Sequence, residues 1–260
     1  MRAIKYRQSL QIRTLEHIVQ SYGIREGWLT GDDSRLVEDA FYFGLSKGCR
    51  ALRAFRLLYD LGYHDEGLIV LRAVYEAYLF AACASTSDVE TVAQHLVKHP
   101  IGITLGIFEK RKSSGKKAIV DTRSGKLMKT RNTQPASFVK ATGHKLDVKI
   151  HPFLYSFLCD YAHTNMSTSG SYSAISAPYE FSCKPRNSEY RTAVILALYF
   201  GNLLISQAVL FEDFDPPGYD SAGRQLIGAA IQIHKYLCCT STASDLQLRQ
   251  HMWDRTKEAL

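Results

Sequence analysis

The chain has 260 residues, of which 46% are hydrophobic and 22% charged, and its formal net charge is +7. This composition excludes a disordered or fibrous protein, and the length suffices to bury a self-sufficient core as one domain, 1–260, carrying an insertion. Six cysteines without a C-x-x-C pair, and an opening segment in which charges alternate with hydrophobics, point away from secretion and toward a reducing cytoplasm.

Residues 2–20 read as an amphipathic helix, after which Asp32, Asp33 and Ser34 supply start signals for a long helix reaching about Asp60. Val37, Phe41, Leu45, Cys49, Leu52 and Phe55 line one face of it, and Gly62 ends it. Asp65 and Glu66 open the next helix, which runs to about Ala84, and Ser87, Asp88 and Glu90 start a shorter one to about Lys98. His95 and His99 stand four apart there, but no third ligand of suitable spacing makes them a zinc site.

After Pro100 the texture changes, and residues from about 105 to 149 form a basic insertion that is partly β-hairpin or irregular. Within it Ala118-Ile119-Val120, Thr122 to Gly125 and Lys126-Leu127-Met128 read as a hairpin around a Ser-Gly turn. Helical texture resumes with Pro152 in a first-turn position and continues to His163. Following a Ser-rich loop, Thr192 to Phe211 runs 20 residues without a charge, which meets the length of a membrane span. Its Gly201, Asn202, Ser206 and Gln207, and the lack of flanking aromatic and basic anchors, make it the central helix of a bundle instead. Two further helices, at about Ser221 to Leu237 and from Ser244 to the end, complete an all-α helical bundle with no membrane span.

Two groups of residues carry the chemistry. The helix Leu68 to Ala84 is apolar on every face except at Arg72 and Glu76, which sit four apart, point the same way and are expected to be buried. Burying charges costs several kcal/mol, roughly, unless they are paired, so the pair serves either fold specificity or a site. His163 closes the helix that holds Tyr155 and Asp160. Set against Arg72 and Glu76 it would complete an acid/base set suited to phosphodiester chemistry, with no metal and no cofactor required. Taken alone, it reads as a histidine stabilised at a helix C-terminus.

The second group is charge. Residues 110–149 hold twelve Lys or Arg against Asp121 and Asp147, a local net of +10 in a chain whose remainder is −3. Lys110, Arg111, Lys112, Lys116, Lys117, Arg123, Lys126, Lys129 and Arg131 are the candidate nucleic-acid contacts. A solvated loop without a partner is the plainer account. Lys47, Arg50, Arg53 and Arg56, recurring every three residues, would extend that surface or form an ordinary solvated face.

Leu61 to Leu68 (LGYHDEGL), followed by Leu71-Arg72-Ala73-Val74-Tyr75-Glu76 and much later by Tyr161-Ala162-His163, resembles a large bacterial family of helical proteins of unknown function. That family is marked by an arginine and a glutamate four apart on one helix and a distant histidine. The resemblance spans roughly residues 35–100 and 150–212. In outline it is similar to the HEPN and abortive-infection proteins, several of which are ribonucleases of toxin or antiphage systems. The spacing departs from theirs, since Arg13 and His17 have three residues between them where HEPN proteins have four to six. The resemblance implies a cytoplasmic effector acting on RNA rather than DNA, with a protein partner from a defence or toxin system and a homo-oligomeric state both open. The alternative is a non-catalytic RNA- or protein-binding module in which Arg72, Glu76 and His163 are a buried structural network.

Overall fold

The computed structural model describes residues 2–22, 32–113, 116–128, 130, 133–163, 190–211 and 243–258, and singly Tyr172 and Gly228. In chain order the helices are α1 (Arg2–Ser21), α2 (Asp33–Asp60), α3 (His64–Thr86), α4 (Val89–Thr91) and α5 (His99–Thr104), with a π-helical stretch Val92–Lys98 joining the last two. Then come β1 (Phe108–Ser113), β2 (Lys116–Asp121), β3 (Leu127–Met128), α6 (Pro135–Ala141), α7 (Lys145–Ala162), α8 (Tyr190–Phe211) and α9 (Ala243–Glu258). The fold is all-α, with one small sheet.

Helix ends follow the local chemistry. Asp32 caps α2 by accepting from the Ser34 amide at 3.1 Å, and Gly62, with φ of 87°, turns the chain into α3. The bundle centre is α8, buried without a break from Ala193 to Ala208 because α1, α2, α3 and α9 pack around it. Two of its polar side chains, Asn202 and Gln207, bond to neighbouring helices. Gln11 of α1 donates to the Leu198 carbonyl at 3.0 Å and to Asn202 Oδ1 at 2.8 Å, and Gln207 donates to Ser85 Oγ at 2.7 Å. Gly201 leaves room for Gln11, since a Cβ there would stand 2.6 Å from its Oε1. α3 and α8 are both long and apolar enough to cross a membrane, and both lie mostly inside the bundle.

The insertion differs from the sequence expectation at both ends. β2 and β3 pair antiparallel around the expected turn, where Asp121 Oδ1 accepts the amides of Arg123 and Ser124 at 3.0 and 2.7 Å and Gly125 takes φ of 69°. β1 adds a third strand with Phe108 opposite Asp121, and the Phe108 ring meets His99 edge to face at 5.5 Å. Beyond Gln134 the insertion is over, because α6 buries Val139 and sets Phe138 against Phe80 of α3. α7 starts at Lys145, so Pro152, expected in a first turn, lies inside the helix and cannot donate to the carbonyl four residues back. Lys140, Lys145 and Lys149 therefore belong to core helices and not to a loop.

Arg53 and Arg56 of α2 are paired, the first with Glu16 and the second with Asp60 at 2.7 Å, so they fasten and solvate the α1–α2 face. Cys49 and Cys83 are buried thiols and Cys159 is a half-buried one. Cys183, Cys238, Cys239 and the helix expected at Ser221 to Leu237 lie outside the described residues.

Among the described residues one fully buried ion pair joins α7 to α9. Arg255 Nε donates to Asp147 Oδ1 at 3.0 Å and its Nη2 to the Tyr78 hydroxyl at 3.1 Å, while that hydroxyl donates to Asp147 Oδ2. Both charged side chains are at most 2% exposed. Burial opposes the charge of Arg255, but Tyr78 and Asp147 outweigh it and hold the guanidinium firmly protonated. Arg255→Ala strands Asp147 and is expected to cost about 3 to 5 kcal/mol, a fall in melting temperature on the order of 10 °C. The double change Asp147→Leu with Arg255→Met should lose less than either single change in the same thermal melts; equal or greater loss would contradict a stranded-charge origin.

Candidate functional site

α7 carries a polar side chain at every fourth residue on one stripe: Asp147, His151, Tyr155, Cys159 and His163. α3 runs against that stripe and meets it with Tyr78, Tyr75 and the Arg72/Glu76 pair. The result is a polar seam that grades from fully buried to exposed.

At the buried end Tyr78 holds Asp147 within the Arg255 network. One turn along, the Tyr75 hydroxyl lies 3.1 Å from His151 Nδ1, and the His151 ring stacks on Tyr155 with centroids 5.0 Å apart. Burial raises the pKa values of Tyr75 and Tyr78 far above the usual phenol and depresses that of His151, with Asp147 partly offsetting the latter.

At the open end four groups converge. Arg72 Nε donates to Glu76 Oε1 at 3.0 Å. Arg72 Nη2 donates to the Tyr155 hydroxyl at 2.9 Å, and that hydroxyl donates to the same Glu76 oxygen at 2.9 Å, closing a three-residue ring. The guanidinium also lies over the Tyr155 ring, 5.0 Å from its centroid. His163, the residue that ends α7, brings Nε2 to 3.5 Å from Arg72 Nη1. Arginine can only donate, so a hydrogen bond here engages His163 Nε2 as the acceptor. Partial burial opposes the Arg72 charge, yet the hydrogen bonds to Glu76 and Tyr155 prevail and raise its pKa. Burial, and then Glu76, raise that of Tyr155, which stays a protonated donor.

Arg72, Glu76 and His163, widely separated in the chain, thus stand together. Arg72 and Glu76 are not buried, however, as expected from the apolar helix around them. Their side chains are 25% and 31% exposed, because their apolar neighbours on α3 turn toward α2 and α8 and this pair is left at the rim of the seam. A guanidinium has five N–H groups and Arg72 commits three nitrogens once each, so N–H donors remain for an anion at the exposed edge. Tyr155 is the member that sequence reasoning missed, although its four-residue spacing from His151 and Cys159 was there to be read.

The basic residues do not join this group. Lys110, Arg111, Arg123 and Lys126 are exposed on the sheet or its turn, with Arg111 paired to Glu109 at 2.8 Å. Lys112, Lys116 and Lys117 have their backbones in β1 and β2, and Lys129 and Arg131 lie outside the described residues. The sheet is fastened to α5 near the Phe80 end of α3, two turns from Arg72. Among the described residues no cluster of three His, Cys, Asp or Glu could hold a metal ion, and His95 and His99 stand Nδ1 to Nδ1 at 3.4 Å.

No curated protein and no solved structure matches the chain. A family model described as a family of unknown function, DUF5677, matches residues 38–175, a stretch that contains Arg72, Glu76, Tyr155 and His163 and ends before α8. Because that match spans more than half of the 260 residues, the chain belongs to the family of unknown function DUF5677.

Proposed function

We propose that this protein is an RNA-acting effector of the HEPN-like kind, a ribonuclease of a toxin or antiphage system working in the bacterial cytoplasm. The observation that supports this reading is the convergence of Arg72, Glu76, Tyr155 and His163 at a solvent-reached rim. In the step these groups suit, a ribose 2′-oxygen attacks the neighbouring phosphorus and the bond to the 5′-oxygen breaks. With Arg72 Nη1 turned from it to the phosphate, His163 takes the 2′-hydroxyl proton at Nε2, and the leaving oxygen acquires one from the protonated Tyr155 or from water. Arg72 faces the phosphorane oxygens with its uncommitted N–H groups, and Glu76 fixes both Arg72 and Tyr155 in place. The exposed cations of the sheet supply RNA affinity.

The rival is a non-catalytic RNA- or protein-binding module, possessing the same residues as a structural network. Its support is the closed Arg72–Glu76–Tyr155 ring, in which each member already has partners.

The two readings separate in one set of variants. His163→Ala and Glu76→Gln should keep the helical signal and the melting temperature while lowering cleavage of a labelled RNA by about 100-fold or more, and Arg72→Lys, which keeps the charge but not the planar fork, should lower it as well. Full activity of His163→Ala ends the catalytic reading. Tyr155→Phe removes a hydroxyl shared by two partners, so chemical denaturation should register a loss of about 1 kcal/mol; an unchanged midpoint would mean that the ring adds no stability. Reversing charge at Lys110, Arg111 and Arg123 should leave the fold intact and weaken RNA binding. In the parent protein log K should fall with log salt by roughly 0.7 per phosphate contacted, and binding indifferent to salt would exclude the sheet as the RNA surface.

A further inference from the structure

A mostly apolar cavity of about 430 Å³ lies between α2, α3, α5, α6 and the π-helical stretch. Sites that bury a small organic molecule have volumes of about 300 to 1,000 Å³ and walls of this kind. Phe43 of α2, Phe80 of α3 and Phe138 of α6 supply its rings, Phe80 standing 5.8 Å from each of the other two and edge to face with both. Phe43 is 59% exposed, so the fold itself leaves in water an aromatic surface that a guest in the cavity would cover. The π-helical wall is irregular as well. Its His99 amide reaches back five residues to the Gln94 carbonyl, a rare pattern that frequently marks functional sites.

One carboxylate lies in this apolar wall. Asp39, four residues before Phe43 on α2 and so on the same face, is half-buried and lines the cavity. Its Oδ1 accepts the Tyr22 hydroxyl at 2.7 Å, a neutral donor that holds the side chain without cancelling its charge. Asp33, Asp60 and Asp147 each face a cation, in Lys98, Lys5 and Arg255 respectively. Asp39 has none among the described residues, and the described part of the cavity wall contains no lysine or arginine. The other ionisable side chain of the wall, His95, brings its Nδ1 to 3.4 Å from that of His99.

A carboxylate without a counter-charge, set in a pocket of phenyl rings, is complementary to one kind of guest. We propose that this cavity binds a small amphipathic cation, an aromatic or alkyl body carrying a protonated amine, with the body against Phe43, Phe80 and Phe138 and the ammonium toward Asp39. The apolar body gains from leaving water, and the ammonium gains both a charge-assisted hydrogen bond to Asp39 and the attraction of nearby aromatic rings. A neutral guest of the same shape would have the first of these gains alone. An anionic one would meet Asp39 as a like charge in partly desolvated surroundings, where the repulsion is strengthened. The inference stands on residues outside the Arg72 cluster and does not need that cluster to be catalytic.

The test is calorimetric titration of the full-length protein at neutral pH with tryptamine, tryptophol and indolepropionate, which share a ring and an ethylene arm and end in an ammonium, a hydroxyl and a carboxylate. Saturable binding of tryptamine is expected, with tryptophol about tenfold weaker or more and indolepropionate weaker still. This comparison is made on the parent protein and depends on no variant folding. Asp39→Asn keeps an acceptor for the Tyr22 hydroxyl and should bring tryptamine down to the affinity of tryptophol, whose own binding stays as it was. Phe43→Ala, at an exposed position that should not disturb folding, is expected to weaken tryptamine and tryptophol alike, by about tenfold. His163→Ala should bind tryptamine as the parent does, so loss of RNA cleavage and loss of this site are read separately. Absence of binding up to about 1 mM tryptamine would overturn the proposal. So would tryptophol or indolepropionate binding as tightly as tryptamine, which marks an apolar cavity blind to charge, or a preference for tryptamine that survives Asp39→Asn.

Discussion

The antiparallel packing of α3 on α7 is the constraint from which the rest follows. α3 must be apolar toward α2 and α8, which bury most of its surface, while one stripe of it meets a stripe of polar side chains spaced by four on α7. A polar seam between core helices is tolerable only when every group finds a partner, and the pairings Tyr78 with Asp147, Tyr75 with His151, and Arg72 and Glu76 with Tyr155 supply them in register. A slip of α7 by a residue would strand them all. The seam therefore fixes the register of the two helices and, as a by-product, delivers His163 to Arg72 where α7 runs out.

Most of the architecture was legible in the sequence because it rests on periodic burial. The uncharged run of α8, the face of α2 and the Asp32 cap are local signals, and they reappear where expected. Arg72 and Glu76 were legible as a pair, since spacing by four is geometry, but not their exposure, which depends on where α7 ends. α7 itself was misread at its start because Pro152 looks like a first-turn proline. Moving the start to Lys145 is what exposes the stripe from Asp147 to His163, and hence Tyr155 and His151 as members of the seam. Arg255 was invisible for another reason: nothing in a charged C-terminal helix tells that one arginine turns inward to a carboxylate 108 residues away.

The charge asymmetry of the chain acquires a spatial meaning. All four candidate basic contacts that have described side chains, Lys110, Arg111, Arg123 and Lys126, project from a small sheet or its turn, carried by α5, while Lys140, Lys145 and Lys149 are spread over core helices. The segment counted as one basic insertion is thus two things, an appended three-stranded sheet and the first part of the helical core. Only the former can be altered without disturbing the packing that buries Val139 and Ile150.

Whether Arg72 and Glu76 are structural or functional turns on a comparison inside the molecule. The fold already has a buried ion pair, Asp147 with Arg255, in which both partners are desolvated and locked and which ties α9 to the bundle. Arg72 and Glu76 differ from it in every respect that matters physically. They are four apart on one helix, so they join no elements by themselves, and at 25% and 31% exposure water screens their attraction to the modest level of a surface pair. Their stabilising contribution is accordingly small, and the bonds that cross to α7 come through Tyr155 and His163. An arrangement that adds little to stability, yet holds a guanidinium, a phenol and an imidazole in contact at the surface, spends its specificity on what can approach from solvent. That supports the proposed site over a structural clasp.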